Sequence, residues 1–277
     1  GKTELRKLSV SSLSPWWDGL MYAQQHNRRS NYSQFVQWAM AQGAARENPF
    51  NTSDAIARLI VKKKPAKQRL PIRNMDEFNA IYDKAEDFVQ VAMMISLTTT
   101  MRAGDIAALR FTDVVNGRLQ RTIAKSANQR GVMAAAHHGW ELSVHTKLAQ
   151  AINRGREMAM SRFGVPPYIV NKESNTPKRR KDCDHQSQVT ANDLSRGFAR
   201  AVKAAGLWNR LPEGRTPPTF HEVRGLAIDL LLKSGVDIQS VQKLAAHTDE
   251  AVTSGYTANH PPEYRDLGIV VTEDILK

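Results

Sequence analysis

His221 and Arg224 stand three residues apart in Thr219-Phe220-His221-Glu222-Val223-Arg224. At helical spacing two such side chains share one face of a turn. A guanidinium offers a planar, permanent charge, an imidazole gives or takes a proton near neutrality, and a helix start adds amide dipoles. Together they suit an oxyanion. Taken alone, His-x-x-Arg is common, and its plainer reading is a packed histidine beside a solvated arginine. The wider order sharpens the choice. Arg102 opens an apolar helix with Asp105 one turn on, and Lys125 ends a strand candidate beside a polar turn. His247 follows 23 residues after Arg224, and Tyr256 nine residues after that.

In order and interval, Arg102, Lys125, His221-x-x-Arg224, His247 and Tyr256 resemble the pattern of the tyrosine recombinases. The stretch from Pro217 to Arg224 is similar to the lambda-type phage integrases among them, and Asn48-Pro49-Phe50 resembles the close of that family's core-binding domain. The resemblance runs from about Asn27 to the end of the chain. It implies Arg102, Lys125, His221, Arg224, His247 and Tyr256 as the catalytic set, with Asp105 orienting the arginines.

The chemistry implied accounts for these residue types. Two fixed guanidinium groups, Arg102 and Arg224, neutralise the non-bridging oxygens of a phosphodiester as charge builds. Tyr256, with an ordinary hydroxyl pKa of about 10, becomes a nucleophile once that pocket stabilises its phenolate, and forms a 3′-phosphotyrosyl link. The departing 5′-hydroxyl needs a proton, the role implied for Lys125. His221 would assist proton transfer from the nucleophile, and His247 would hydrogen-bond a phosphate oxygen. The ester keeps the bond energy, so the resemblance implies no metal and no ATP. Tyr264, the rival nucleophile, lies past Pro261-Pro262 and off the spacing. Two departures stand out: Ser126-Ala127-Asn128 follows Lys125 where the family usually has Thr or Gly, and Ala246 precedes His247 where it favours Gly.

The elements that must position these residues are mostly helical. The expected class is α+β: a small helical DNA-binding module over residues 1–64, a basic linker over 65–73, and a catalytic domain over 74–277 with a small antiparallel sheet. Tyr32, Phe35, Val36, Trp38 and Ala39 recur at helical spacing between Asn31 and Met40, with Gly43 as a stop; Thr52 or Ser53 is placed to cap another helix through Ile60. The stretch from Val61 to Pro71 holds two prolines and five cationic residues, and reads as an extended linker. Its Lys62, Lys63, Lys64, Lys67 and Arg69 are candidates for tracking a DNA backbone. Met75 to Leu97 reads as helix, followed by Ala103 to Leu109. Leu119 to Ala124, a segment around Val132 to Ala135, and Glu141 to Val144 read as strands, with His138-Gly139 as a separator. Helices resume at Thr146 to Met160 and Thr190 to Ala205. Thr219 and Glu222 form the pattern of a capping box ahead of Val223, Leu226, Ala227, Leu230 and Leu231. Gly235 ends that helix, and Asp237 caps another with Ile238, Val241, Leu244 and Ala245 inward. A last helix is expected from Thr248 to Tyr256. The tail with Leu267, Ile269 and Val270 packs either on its own domain or on a neighbouring subunit.

Composition bounds the partner. With 39 Lys+Arg against 27 Asp+Glu the formal net charge is +12, which favours a polyanion. A hydrophobic fraction of 41% excludes wholesale disorder, and no run reaches the length of a membrane helix. The lone Cys183 excludes an internal disulfide and fits a reducing compartment. His137, His138, His145 and Cys183-Asp184-His185 lack the paired spacing of a zinc site. The resemblance implies a site-specific recombinase that integrates and excises a phage or mobile element. Its expected partners are duplex attachment sites, three further copies in a homotetramer, and a host DNA-bending protein, in the cytoplasm of a bacterial host at the nucleoid. A type IB topoisomerase, a telomere-resolving enzyme and a catalytically silent DNA-binding regulator are the alternatives. The residues ahead of the linker are too few for complete core-binding and arm-binding domains, so a fragment of a longer protein is expected.

Overall fold

The computed structural model describes residues 5–51, 59–62, 68–123, 137–163, 167–173, 183–209, 211–245, 265–266, 271 and 274–275. The chain divides into two compact units, Gly1–Lys67 and Gln68–Lys277. The expected helix beginning at Thr52 or Ser53 falls largely outside the described residues.

In the first unit Ser9 caps the helix Val10–Asp18, and the helix Tyr22–Ala41 follows. The second helix starts nine residues before the apolar period at Asn31, because its polar first half is anchored through a buried amide. Gln25 donates to the Trp17 carbonyl over 2.7 Å and accepts from the Lys62 amide at 2.7 Å. Trp17, Val36, Ala39 and Phe50 make the small core. Tyr32, Phe35 and Trp38, from the same apolar set, remain largely exposed.

The second unit is built around the helix Asp87–Thr99. Its sequence is apolar on nearly every face, which suits burial all round. It packs against the helices Ala103–Ala107, Thr146–Phe163, Ala191–Ala205 and His221–Lys233. Gly197 permits the close approach of the Ala191–Ala205 helix: a Cβ there would stand 2.5 Å from Val89 Cγ2. Met75 to Leu97 is two helices rather than one, Met75–Tyr82 and Asp87–Thr99. Asn74 caps the first, and the extended Glu86 restarts the chain (φ −64°, ψ 151°). No glycine or proline marks that break.

One sheet runs in the order β2-β3-β4-β6, where β2 is Val114–Val115, β3 Arg118–Thr122, β4 His137–Glu141 and β6 Arg265–Asp266. The first three strands are antiparallel, as the sequence predicts, and β6 joins parallel to β4 within the same chain. Asn116 and Gly117, both at positive φ, form the tight turn between β2 and β3. The strand expected at Glu141 to Val144 lies earlier. His138 and Gly139 are central to β4, and after Glu141 the chain turns back, with the His145 amide donating to the Glu141 carbonyl over 3.0 Å. The segment around Val132 to Ala135 lies outside the described residues. A two-stranded parallel pair, β1 (Gln68–Arg69) with β5 (Arg215–Thr216), stands apart from the sheet.

The helix His221–Lys233 buries Val223, Leu226, Ala227 and Leu231. It ends in a Schellman arrangement: Gly235, at φ 89°, and Val236 donate to the Leu232 and Leu231 carbonyls, each over 3.1 Å. Asp237 caps the helix Ile238–Leu244 by accepting from the Ser240 amide at 2.9 Å. Val241, Leu244 and Ala245 are buried there, while Ile238, in the first turn, is exposed instead.

Candidate functional site

The site is assembled at a turn. The helix Asp87–Thr99 closes on Thr100, which adopts the left-handed conformation (φ 56°, ψ 16°). A β-branched residue there is strained, at a cost of order 1–3 kcal/mol. Two residues on, the extended, half-buried Arg102 opens the helix Ala103–Ala107. That helix buries Asp105 to 3% exposure.

The helix His221–Lys233 brings the second half of the site. The expected capping box is absent. Phe220 occupies the cap position in a helical conformation (φ −52°, ψ −30°) and makes no side-chain cap bond. A capping box needs an extended cap residue, whereas here the Glu222 amide donates to the Thr219 backbone carbonyl over 2.9 Å. Relieved of that role, the Glu222 carboxylate stands 3.5 Å from the Arg69 guanidinium. His221 and Arg224 nonetheless share the first turn, as their spacing predicts.

Arg224 is 3% exposed. Its Nη1 donates to the Thr100 carbonyl over 2.5 Å and its Nη2 to the Ala245 carbonyl. Thr100 Oγ1 in turn donates to the Leu244 carbonyl at 3.2 Å. Arg224 thus ties together the turn before Arg102, the His-x-x-Arg helix and the segment ending two residues before His247. Burial first, and then the neighbouring Arg102, lower its pKa to about 10 against the opposing Asp105, so it stays protonated at neutral pH.

Burial also lowers the His221 pKa, with Arg224, Arg69 and Arg102 acting the same way and Glu222 opposing. A neutral imidazole inside a cationic pocket can accept a proton from a nucleophile, and the guanidinium groups can receive a phosphate.

Arg102, Asp105, His221 and Arg224 therefore share one electrostatic environment. Lys125, His247, Tyr256 and Tyr264 lie outside the described residues, as do Lys63, Lys64 and Lys67. The Lys62 ammonium donates to the Asp18 and Leu20 carbonyls at 2.7 and 2.6 Å, at the end of the Val10–Asp18 helix. Among the described residues no three His, Cys, Asp or Glu side chains gather as a metal site. No described helix is long and apolar enough to cross a membrane.

Three features of the site escape a reading of the sequence. One is the Thr100 carbonyl, since nothing in Thr98-Thr99-Thr100 marks a left-handed residue. Another is the pairing of Arg69 with Glu222. The third is His138, buried in β4, stacked on Trp140 with ring centroids 5.7 Å apart, and with no described partner for Nδ1. Burial, His137 and Arg224 lower its pKa to about 4. A histidine beside a glycine in a short run carries no signal of such a position.

The sequence pattern described as the phage integrase family matches residues 69–263. The chain is 27% identical to the integrase of Enterobacteria phage P21 over 264 residues, 92% of this chain and 63% of that protein. It is 26% identical to the integrase of Escherichia phage lambda, over 87% of this chain and 60% of that one. The chain thus spans less than two thirds of the length of these relatives. Among solved structures it resembles a lambda integrase dimer bound to a COC′ core site, with a TM-score of 0.65, 22% identity, and coverage of 91% of this chain and 83% of that one. It also resembles a lambda integrase tetramer bound to a Holliday junction, with a TM-score of 0.64, 21% identity, and coverage of 91% and 68%. These likenesses fix the fold, and the family pattern covers most of the chain. The chain belongs to the phage integrase family.

Proposed function

We propose that this chain carries the strand-breaking and strand-rejoining chemistry of a site-specific DNA recombinase that integrates and excises a phage or mobile element. The observation that carries the reading is the Arg224 guanidinium, which joins the turn before Arg102 to the segment leading into His247. Family membership and the basic composition support it.

In this reading Arg102 and Arg224 neutralise the two non-bridging oxygens of the scissile phosphate, and Asp105 keeps them oriented. Tyr256 Oη attacks phosphorus, its proton passing toward His221, and a phosphorus–oxygen bond to the tyrosine forms as the bond to the 5′-oxygen breaks. Lys125 protonates that oxygen, and His247 hydrogen-bonds a phosphate oxygen. Rejoining reverses the steps with a new 5′-hydroxyl, so neither ATP nor a metal enters the balance. Residues 1–64 serve as part of a core-binding module, 65–73 as the basic link and 74–277 as the catalytic domain, with Lys62, Lys63, Lys64, Lys67 and Arg69, from the end of the module and the link, meeting DNA phosphates. The partners are duplex attachment sites, a homotetramer and a host bending protein, at the nucleoid of a bacterial cytoplasm.

The test is covalent capture on nicked duplexes bearing candidate core sites from DNA flanking the gene. The wild-type chain is expected to form an adduct, and Tyr256→Phe to lose it while still binding duplex. Adducts that persist in Tyr256→Phe would move the nucleophile to Tyr264. Relaxation of supercoiled DNA without paired sites would favour a topoisomerase instead.

A further inference from the structure

Arg69 sits in β1, at the start of the second unit. The parallel ladder sets Arg69 opposite Thr216, and the Leu70 amide donates to the Thr216 carbonyl over 2.9 Å. From Thr216 the chain passes through Pro217-Pro218 into His221. The backbone carrying Arg69 is therefore fixed to the backbone that delivers the His-x-x-Arg turn. Across this register Arg69 Nη1 stands 3.5 Å from Glu222 Oε1. The Glu222 side chain is 19% exposed and that of Arg69 is 50% exposed.

A pair this exposed contributes little to stability, so its position matters more than its energy. The acid lies inside the His-x-x-Arg turn and holds a long, half-exposed cation on the His221 side of the pocket. A guanidinium has five donors, and one carboxylate contact leaves others to meet an anion. We propose that Arg69 is a third phosphate-binding arginine of this pocket and that Glu222 is its positioning residue. The inference rests on the recombinase reading only for the claim that the phosphate belongs to duplex DNA.

Among the described residues four charged groups act on His221: Arg224 and Glu222 from its own helix, Arg102 from the turn after Thr100, and Arg69 from β1. Arg69 and Glu222 act on the imidazole in opposite senses. That opposition supplies a readout that a merely structural pair would not move.

The experiment follows the His221 side chain by NMR in the 277-residue chain, with and without added inorganic phosphate. Arg69→Gln is expected to raise the His221 titration midpoint and weaken phosphate binding several-fold; Glu222→Gln is expected to lower the midpoint. In the double variant, loss of Arg69 should cost less phosphate affinity than in the wild type, because the arginine is no longer held in place. An unchanged midpoint and unchanged phosphate affinity in Arg69→Gln would overturn the proposal. Equal losses in both backgrounds would remove the positioning role of Glu222. Should Arg69→Gln fail to fold, Arg69→Lys serves: keeping the charge but not the fork, it should preserve the midpoint and lose part of the affinity, and full affinity would overturn the proposal. Arg69-dependent phosphate binding without any covalent adduct on nicked duplex would sink the recombinase reading and leave this site standing. Adduct formation undiminished in Arg69→Gln would do the reverse.

Discussion

Arg224 donates from Nη1 to the carbonyl of Thr100, 124 residues away in sequence, over 2.5 Å. Its second nitrogen reaches the Ala245 carbonyl, so one planar group satisfies two backbone acceptors within the buried site. A lysine has the charge but not the fork, and cannot span both. Arg224→Lys is therefore expected to leave a buried acceptor unsatisfied, at about 1–3 kcal/mol of stability. Urea unfolding should show a lower midpoint at an unchanged slope, and adduct formation on nicked duplex should disappear. Full stability in Arg224→Lys would show that the bridge to Thr100 and Ala245 is not what holds the turn.

The left-handed Thr100 makes a second, independent prediction. Thr100→Ala keeps the unfavourable φ and loses the hydroxyl bond to Leu244, whereas Thr100→Gly loses the same bond but adopts a positive φ without strain. Glycine should thus be the better replacement, by about 1 kcal/mol. Thermal unfolding of the two variants side by side tests the order. A more stable Thr100→Ala would mean that Thr100 is not strained.

What the sequence discloses here follows from the range of the forces involved. His221 and Arg224 share a turn because three-residue spacing is a property of the helix, and the apolar stripe from Val223 to Leu231 orients that helix whatever its cap. Asp237 was readable because capping is local. The antiparallel pairing of β3 and β4 is legible in outline, yet the strand expected at Glu141 to Val144 lies at His137–Glu141, since alternation in so short a run does not fix register. The break between Tyr82 and Asp87 left no glycine or proline behind. The carbonyls of Thr100 and Ala245 were beyond reach for a different reason: a backbone acceptor has no residue type, and only the folded chain shows which carbonyl an arginine meets. The same holds for Arg69, which reads as one more cation in a basic stretch until β1 pairs with β5.

His138 gives the stability of the second unit a pH dependence of definite sign. Its folded pKa, about 4, lies below the ordinary value of 6.5, so the unfolded chain takes up the proton first as pH falls. The stabilisation is complete above about pH 6.5, and about 3 kcal/mol is lost as pH falls toward 4. His221, shifted in the same direction, adds to the same slope. His138→Phe keeps a ring to stack on Trp140 but has no proton to bind. Its unfolding free energy, measured against that of the wild type, should therefore fall less over this window. Parallel curves from pH 6.5 to 4 would show that His138 is protonated as readily folded as unfolded.

Lys125 is distinguished from the arginines by the proton it can lose. If it protonates the departing 5′-oxygen, Lys125→Ala should slow cleavage of an ordinary phosphodiester by about 10²–10⁴-fold. A duplex with sulfur in place of that bridging oxygen removes the need, because a thiolate leaves without a proton. Cleavage of that duplex by Lys125→Ala should then approach the wild-type rate. Tyr256→Phe, which lacks the nucleophile, should stay inactive on both substrates. Arginine has no readily lost proton and cannot take over the role, so residual activity in Lys125→Ala would come from water. Lack of rescue by the sulfur substrate would assign Lys125 to binding the phosphate and leave the acid to be sought elsewhere.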